Sequence, residues 1–415
     1  MIERTVVVMP EAKPPLFPDN PHFWFETLRV IAADEYGGSL VGEVLAVAGR
    51  IKPGDYESWQ EAWNAVADRV AGEADDQLRR GHKVSARDGY LRASNYYRSS
   101  EFYLHGNPRD PRIAHAYRRS VDCYRACAAL FDPPIEPVEI PYEGTTLPGY
   151  FHCPDRSSSP RMTIVMHSGF DGSAEEMHFQ GARAAVERGL NALVFDGPGQ
   201  FGPLHREGLT FRPDWEKVVT PVIDFVLKLP GVDPKRVALM GMSLGGLLAP
   251  RAAAFERRIA ALIANDGLYD YAAAQLARVP PEELESVKAG LVADEAPALD
   301  EALEGAMKTM PTARWAFSHG MFAMGAPTPR AYLAKSLAYN LRDGVAESIA
   351  CPTLVCDAEG DLFFKGQPQE LYDHLTCRKT LMRFTEEEGA GAHCQAGAGR
   401  LAFARIYDWL DETLS

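Results

Sequence analysis

"VALMGMSLGGLLAP", Val237 to Pro250, is the stretch on which the fold turns. Four apolar residues run into Gly241-Met242-Ser243-Leu244-Gly245, and small and apolar residues follow. The first part reads as a buried strand and the last as a helix. A G-x-S-x-G pattern alone arises by chance in roughly one chain in seven of this size, so its setting decides its meaning. Between a strand and a small-residue helix, the turn must be sharp, and it lifts a serine hydroxyl off the sheet edge. The hydroxyl then sits at a helix N-terminus, where the dipole favours developing negative charge. A plain helix-capping serine is the bland reading; the strand before and the helix after favour a nucleophile.

Outward from this turn, short apolar runs alternate with helical stretches. "TIVMHSG", "NALVFDG", "AALIAND", "PTLVCDA" and "KTLMRFT" read as strands, with "AEEMHFQGARAAVERG" and "DWEKVVTPVIDFVLKLP" as helices between them. "VEIPYEGTTLPGYFHCP" alternates around a turn and reads as a hairpin. Such alternation predicts a mostly parallel, doubly wound sheet with helices on both faces. Residues 1–135 differ: "YESWQEAWNAVADRVAGEADDQLRRG", "SARDGYLRASNYYRSSEFYLHG" and "DPRIAHAYRRSVDCYRACAALF" are helical, with Ser85 and Asp110 as N-caps and Pro111 in a first turn. The chain therefore divides into a helical N-terminal domain, 1–135, and a catalytic domain, 136–415. Within the latter, residues 268–350 hold no convincing strand and form a helical insertion above the sheet's carboxyl edge.

A serine nucleophile needs a base, and the base an orienting acid. With this kind of elbow the chain order is serine, acid, histidine. Three histidines follow Ser243. His374, in "ELYDHLTCR", belongs to an amphipathic helix, and His319 to the insertion. Only His393, in "EEEGAGAHCQAGAGR", follows the last strand by a short loop, which places it beside the elbow. Asp357, Glu359 and Asp361 compete for the acid; Asp361, beyond Gly360 in the loop after "PTLVCDA", is favoured. An oxyanion hole needs two backbone donors: Leu244 supplies one, and Phe170 in "VMHSGFDGS" the other. "FDGPGQFG", Phe195 to Gly202, has neither a G-x-G-x-x-G nor a P-loop lysine and reads as a turn lining the pocket.

The 415 residues carry a net charge of −14 and are 46% hydrophobic, enough for a full core without staples. The acidic balance argues against nucleic acid or an anionic membrane as partner. In "MIERTVVVMPEAKPP" the apolar run is four residues, too short for a signal-peptide core. Seven scattered cysteines without a CxxC pair argue against zinc and against a disulfide framework. The expectation is a reduced, cytoplasmic protein with no metal and no cofactor, a small-molecule substrate, and an oligomeric state open between monomer and homodimer.

"GMSLGG", "FDGPGQ", "EGAGAHCQ" and the helical N-terminal region together resemble a branch of the α/β-hydrolases. That branch includes dihydroxypseudooxynicotine hydrolase and the fungal heptaketide-shortening hydrolase of pigment biosynthesis. The resemblance covers nearly the whole chain and implies an α/β-hydrolase fold with Ser243, Asp361 and His393 as the triad. It also implies hydrolysis of a carbon–carbon bond next to a ketone. Two departures bear on the substrate: Phe201 follows Gln200 where the branch more often has glycine, and the insertion after "ANDGLYDY" is longer.

Aromatic residues of the two helical regions should roof the site. At helical spacing they are more often core than pocket, yet some should face a cavity suited to an aromatic or polyketide substrate. Tyr97, Trp315 and His319 are the candidates for substrate contact. A carboxylesterase, amidase or peptidase would use the same triad. A non-catalytic binding protein on this fold would be expected to lose a triad member, and none is missing.

Overall fold

The computed structural model describes residues 14–415; the reading of the N-terminal apolar run lies outside the described residues. Eight strands form one sheet: β1 Glu136–Tyr142, β2 Thr145–His152, β3 Arg161–His167, β4 Asn191–Phe195, β5 Val232–Met242, β6 Ala261–Asn265, β7 Thr353–Ala358 and β8 Lys379–Phe384. Their order is β1-β2-β4-β3-β5-β6-β7-β8. The β1–β2 hairpin and the β2–β4 pair are antiparallel, and all later pairs are parallel. This is the α/β-hydrolase fold that the motifs imply. β4 and β6 are buried along their whole length, which is why they read as unbroken apolar runs. Parallel strands linked by crossovers bring all the intervening loops to one rim. β5 lies mid-sheet, so its carboxyl end, carrying Ser243, has the β3, β6 and β7 loops for neighbours.

Before the sheet come helices Pro21–Ala32, Val41–Ala48, Tyr56–Arg79, Lys83–Glu101 and Pro111–Ala128. Asp110 caps the last of these as expected, its carboxylate accepting from the Arg112 amide. Ser85 does not cap: the helix starts two residues earlier, at Lys83, after His82. Trp59, Trp63 and Tyr96 are almost fully buried between these helices, each contributing about 2 kcal/mol or more by removal from water. Their apolar core is continuous with that of the sheet.

The stretch read as one helix, "AEEMHFQGARAAVERG", is broken into a short turn at Glu176–His178 and a helix at Ala182–Glu187. Gly181 interrupts it with φ 128°, and a side chain there would strike Met166 at 2.6 Å. Between β6 and β7 the insertion is helical: Tyr271–Gln275, Leu284–Val292, Pro297–Thr309, Pro311–Met324 and Pro329–Ser336. Among the described residues no helix is long and apolar enough to cross a membrane.

Candidate active site

Ser243 follows β5 directly with φ 60°, a left-handed conformation that costs a non-glycine residue about 1–2 kcal/mol. The turn is held by the Ser243 amide donating to the Asn265 carbonyl at 2.6 Å and by Gly246 donating back to Ser243 at 2.7 Å. The flanking glycines are there for space. A Cβ on Gly241 would collide with the Gly245 carbonyl, and one on Gly245 would stand 2.7 Å from the Ser168 carbonyl. The strain is thus imposed by close packing of strand, helix and the neighbouring loop.

His393 lies in the loop after β8, and its Nε2 is 2.8 Å from the Ser243 hydroxyl. Its Nδ1 donates to Asp361 at 2.9 Å. Asp361 is oriented in turn by the Phe363 and Phe364 amides, at 2.7 and 3.2 Å. The three residues named from the sequence therefore form one hydrogen-bonded chain. The competing acids are engaged elsewhere: Asp357 pairs with Arg383 at 3.3 Å, and Glu359 accepts from the Glu386 amide. His374 stacks on Tyr269 and contacts Glu347, on the outer helix expected for it.

A second carboxylate, not anticipated, stands beside the first. Asp266, just past β6 and fully buried, lies 3.3 Å from His393 Nδ1. It accepts from the Cys394 amide at 2.8 Å and from Gln395 Nε2 at 2.7 Å, so it grips the residues on the far side of the histidine. Burial, aided by the nearby Asp361 charge, pushes its pKa up to about 6. Asp361 moves the other way: burial opposes its charge, but His393 outweighs burial and holds it below the ordinary carboxylate value. Burial likewise opposes charge on His393, yet Asp361 and the hydrogen bonds to both acids raise its pKa well above the ordinary value. A signal existed in the sequence: Asp266 follows "AALIAN" directly, at the sheet edge where sites form.

The loop after β3 presses on the elbow. A Cβ on Gly169 would be 2.6 Å from the Leu244 nitrogen and 2.8 Å from Ser243 Cβ. Neither the Leu244 nor the Phe170 amide is spent on the bonds that close the surrounding turns. From behind, the carbonyls of Ser168, Gly169, Phe170 and Asp171 are held. His167 Nε2 accepts from Trp215, so its Nδ1 donates to Ser168 O at 2.8 Å. Gln200 Nε2 donates to Ser168 O at 2.6 Å and Gly169 O at 3.3 Å. His319 Nε2 donates to Phe170 O at 2.8 Å, and Arg98 to Asp171 O at 2.8 Å. A planar trans peptide sets its N–H opposite its carbonyl, so holding the Gly169 carbonyl also fixes the Phe170 N–H. "FDGPGQFG" is accordingly not a pocket-lining turn: its Gln200 is buried behind the loop, where only three-dimensional packing could reveal it.

A cavity of about 560 Å³ opens over Ser243 and His393, walled by Phe25 of the N-terminal helices, Trp315 and Phe317 of the insertion, and Phe363. Trp315 thus stands where a substrate contact was sought. Tyr97 and His319 do not reach the cavity. The Tyr97 hydroxyl donates to Asp68 at 2.6 Å within the helical region, and His319 turns its ring to the loop after β3. Helical spacing alone does not distinguish the two faces of such helices. Arg29 also lines the cavity, but Glu176 at 2.6 Å and Asp171 at 2.9 Å occupy its guanidinium.

Comparison with known proteins agrees with this architecture. Residues 164–404 match the alpha/beta hydrolase family profile. Hydrolase LUC6 of Fusarium sp is 36% identical over 412 residues, covering 96% of this chain and 97% of that protein. The 20-hydroxy-prefusarin hydrolase FUS2 of Gibberella moniliformis is 35% identical, covering 95% and 96%. The crystal structure of 2,6-dihydroxy-pseudo-oxynicotine hydrolase superposes with a TM-score of 0.71 at 23% identity, over 92% of this chain and 95% of that one. The chain is an enzyme of the alpha/beta hydrolase family.

Proposed function

We propose that the protein is a serine hydrolase that cleaves a carbon–carbon bond next to a ketone, in an aromatic or polyketide-like small molecule, through an acyl-enzyme. The observation that carries this reading is His393 bridging Ser243 at 2.8 Å and Asp361 at 2.9 Å on the floor of an apolar cavity. Its volume suits a ligand of drug-like size, for which about 300–1,000 Å³ is usual. FUS2 is named as a hydrolase of 20-hydroxy-prefusarin, which supports a hydrolytic reading of this chain.

In this mechanism the Ser243 oxygen adds to the ketone carbon while its proton passes to His393 Nε2. The oxyanion rests on the Leu244 and Phe170 amides. As the carbonyl re-forms, the bond to the neighbouring carbon breaks, and the His393 proton moves to that carbon. The leaving carbon must bear charge stably, as an enol or electron-rich phenol ring does. Water, deprotonated by His393, then adds to the acyl-enzyme and releases the acid and Ser243. No cofactor enters any step.

The test is product analysis with acyl-phenol diketones against matched esters. Turnover of diketones by the parent and its loss in Ser243→Ala are expected. Turnover of esters alone would reassign the enzyme as a carboxylesterase with the same triad. A fluorophosphonate probe that fails to label Ser243 in folded protein would remove the nucleophile assignment.

A further inference from the structure

Behind Phe170 lies a line of buried polar groups that no step above uses. Glu101 Oε2, at the end of helix Lys83–Glu101, is 2.7 Å from His105 Nε2. His105 Nδ1 is 2.9 Å from His319 Nδ1, and His319 Nε2 is 2.8 Å from the Phe170 carbonyl. Glu101, His105 and His319 are all at least 95% buried. Proton counting sets the direction of its last two bonds. A carbonyl only accepts, so His319 Nε2 carries the hydrogen. Burial, followed by the neighbouring His105, pulls the His319 pKa down to about 4, so the ring is neutral and its Nδ1 accepts from His105. Glu101 stays ionised: His105 outweighs the cost of burial and pulls its pKa down to about 2. The last two bonds of the line, from His105 to His319 and from His319 to the Phe170 carbonyl, therefore point towards Phe170. Around it, Arg98 and Asp171 face the Glu101 and His319 ends, and His205 and Phe322 pack on His105.

We propose that His319 is a positioning residue of the oxyanion hole: oriented by His105 and Glu101, it holds the Phe170 carbonyl so that the Phe170 amide faces the Ser243 hydroxyl. The proposal rests on the assignment of that amide above. Gln200 holds the Gly169 carbonyl, which shares a peptide plane with the Phe170 N–H, and His319 holds the carbonyl on the other side of Phe170. The two anchors bracket one residue and leave it no rotation. One comes from the sheet domain, the other from the insertion. His319 is also stacked on Trp315, at 6.0 Å and 6° between rings, and Trp315 lines the cavity. A substrate seated against Trp315 thus bears on the helix that sets the hole.

The experiment compares His319→Phe, which keeps bulk and loses the donor, with His319→Gln, whose amide can still donate to Phe170 O. The phenylalanine variant should lose about 30- to 100-fold in kcat, somewhat less than outright loss of an oxyanion donor, with KM little changed. Glutamine should recover most of that loss. Across the series, affinity for a trifluoromethyl ketone should fall in step with kcat/KM, which a merely structural role would not produce. Should His319→Phe not fold, His105→Leu carries the same expectation. Full kcat in the phenylalanine variant, or equal losses in both His319 variants, would overturn the proposal. So would a cobalt(II) absorption band in the parent that vanishes in His205→Ala. Glu101, His105 and His205 are close enough to share a cation, and a cation there would compete for the His105 ring that contacts His319. Ser243-dependent turnover in the parent keeps these outcomes apart from failure of the hydrolase reading.

Discussion

His393 stands between two buried carboxylates, with Asp361 2.9 Å and Asp266 3.3 Å from the same ring nitrogen. One acid lines up with the imidazole and the Ser243 hydroxyl; the other clamps the Cys394 amide and the Gln395 side chain. The prediction is unequal dependence. Asp361→Asn should lower kcat by about 10³–10⁴-fold, the scale of a lost triad acid. Asp266→Asn should cost about 10- to 100-fold, because an amide still holds the loop but no longer supports charge on the imidazole. Steady-state kinetics of both single variants and the double variant check this; equal single losses would make the two acids interchangeable.

The same pair predicts a pH dependence of stability. The folded-state pKa of Asp266 is raised from 3.8 to about 6, so ionising it opposes folding. The penalty is absent below the unfolded value and complete above the folded one. Asp266→Asn removes it, so the variant should gain on the parent between pH 4 and 6, by about 3 kcal/mol at most from a shift of about two pKa units. Urea unfolding of both proteins across that range measures the difference, and a constant offset would contradict the raised pKa.

Removal of the base should separate chemistry from folding. His393→Ala is expected to keep the parent's circular dichroism and melt within a few degrees of it, while losing about 10⁴-fold or more in kcat. Comparable turnover in variant and parent would reject His393 as the base.

Gln200 offers a test of the loop from its other anchor. Gln200→Leu fills the same space but leaves the Ser168 and Gly169 carbonyls without their donor. A loss of about 10- to 100-fold in kcat with KM nearly unchanged is expected, as for a misplaced oxyanion donor. A change confined to KM would count against Gln200 as an anchor of the loop.

Trp315 should act on binding. Trp315→Ala opens the cavity roof beside Phe170, to whose ring it stands at 6.2 Å. A KM about tenfold higher or more for an aromatic substrate, with a smaller effect on an acetyl ester, is the expected pattern. Equal effects on both substrates would place Trp315 in the core.

The sequence by itself determined the sheet, the elbow and the last loop. Period-two and unbroken apolar runs reflect burial of each strand, and "GMSLG" records a turn that tolerates no side chain at Gly241 or Gly245. His393 was legible because few loops end at the right rim, and Asp361 because it follows the strand before. Tertiary structure decided the rest. Gln200, Asp266, His105 and His319 touch partners between 31 and 214 positions away, and no local periodicity encodes such a pairing. Tyr97 and Trp315 are both apolar bodies with polar tips on helices, yet one meets Asp68 and the other the cavity. Which face of a helix looks inward is settled when helix packs on helix, and that packing depends on residues far apart in the chain.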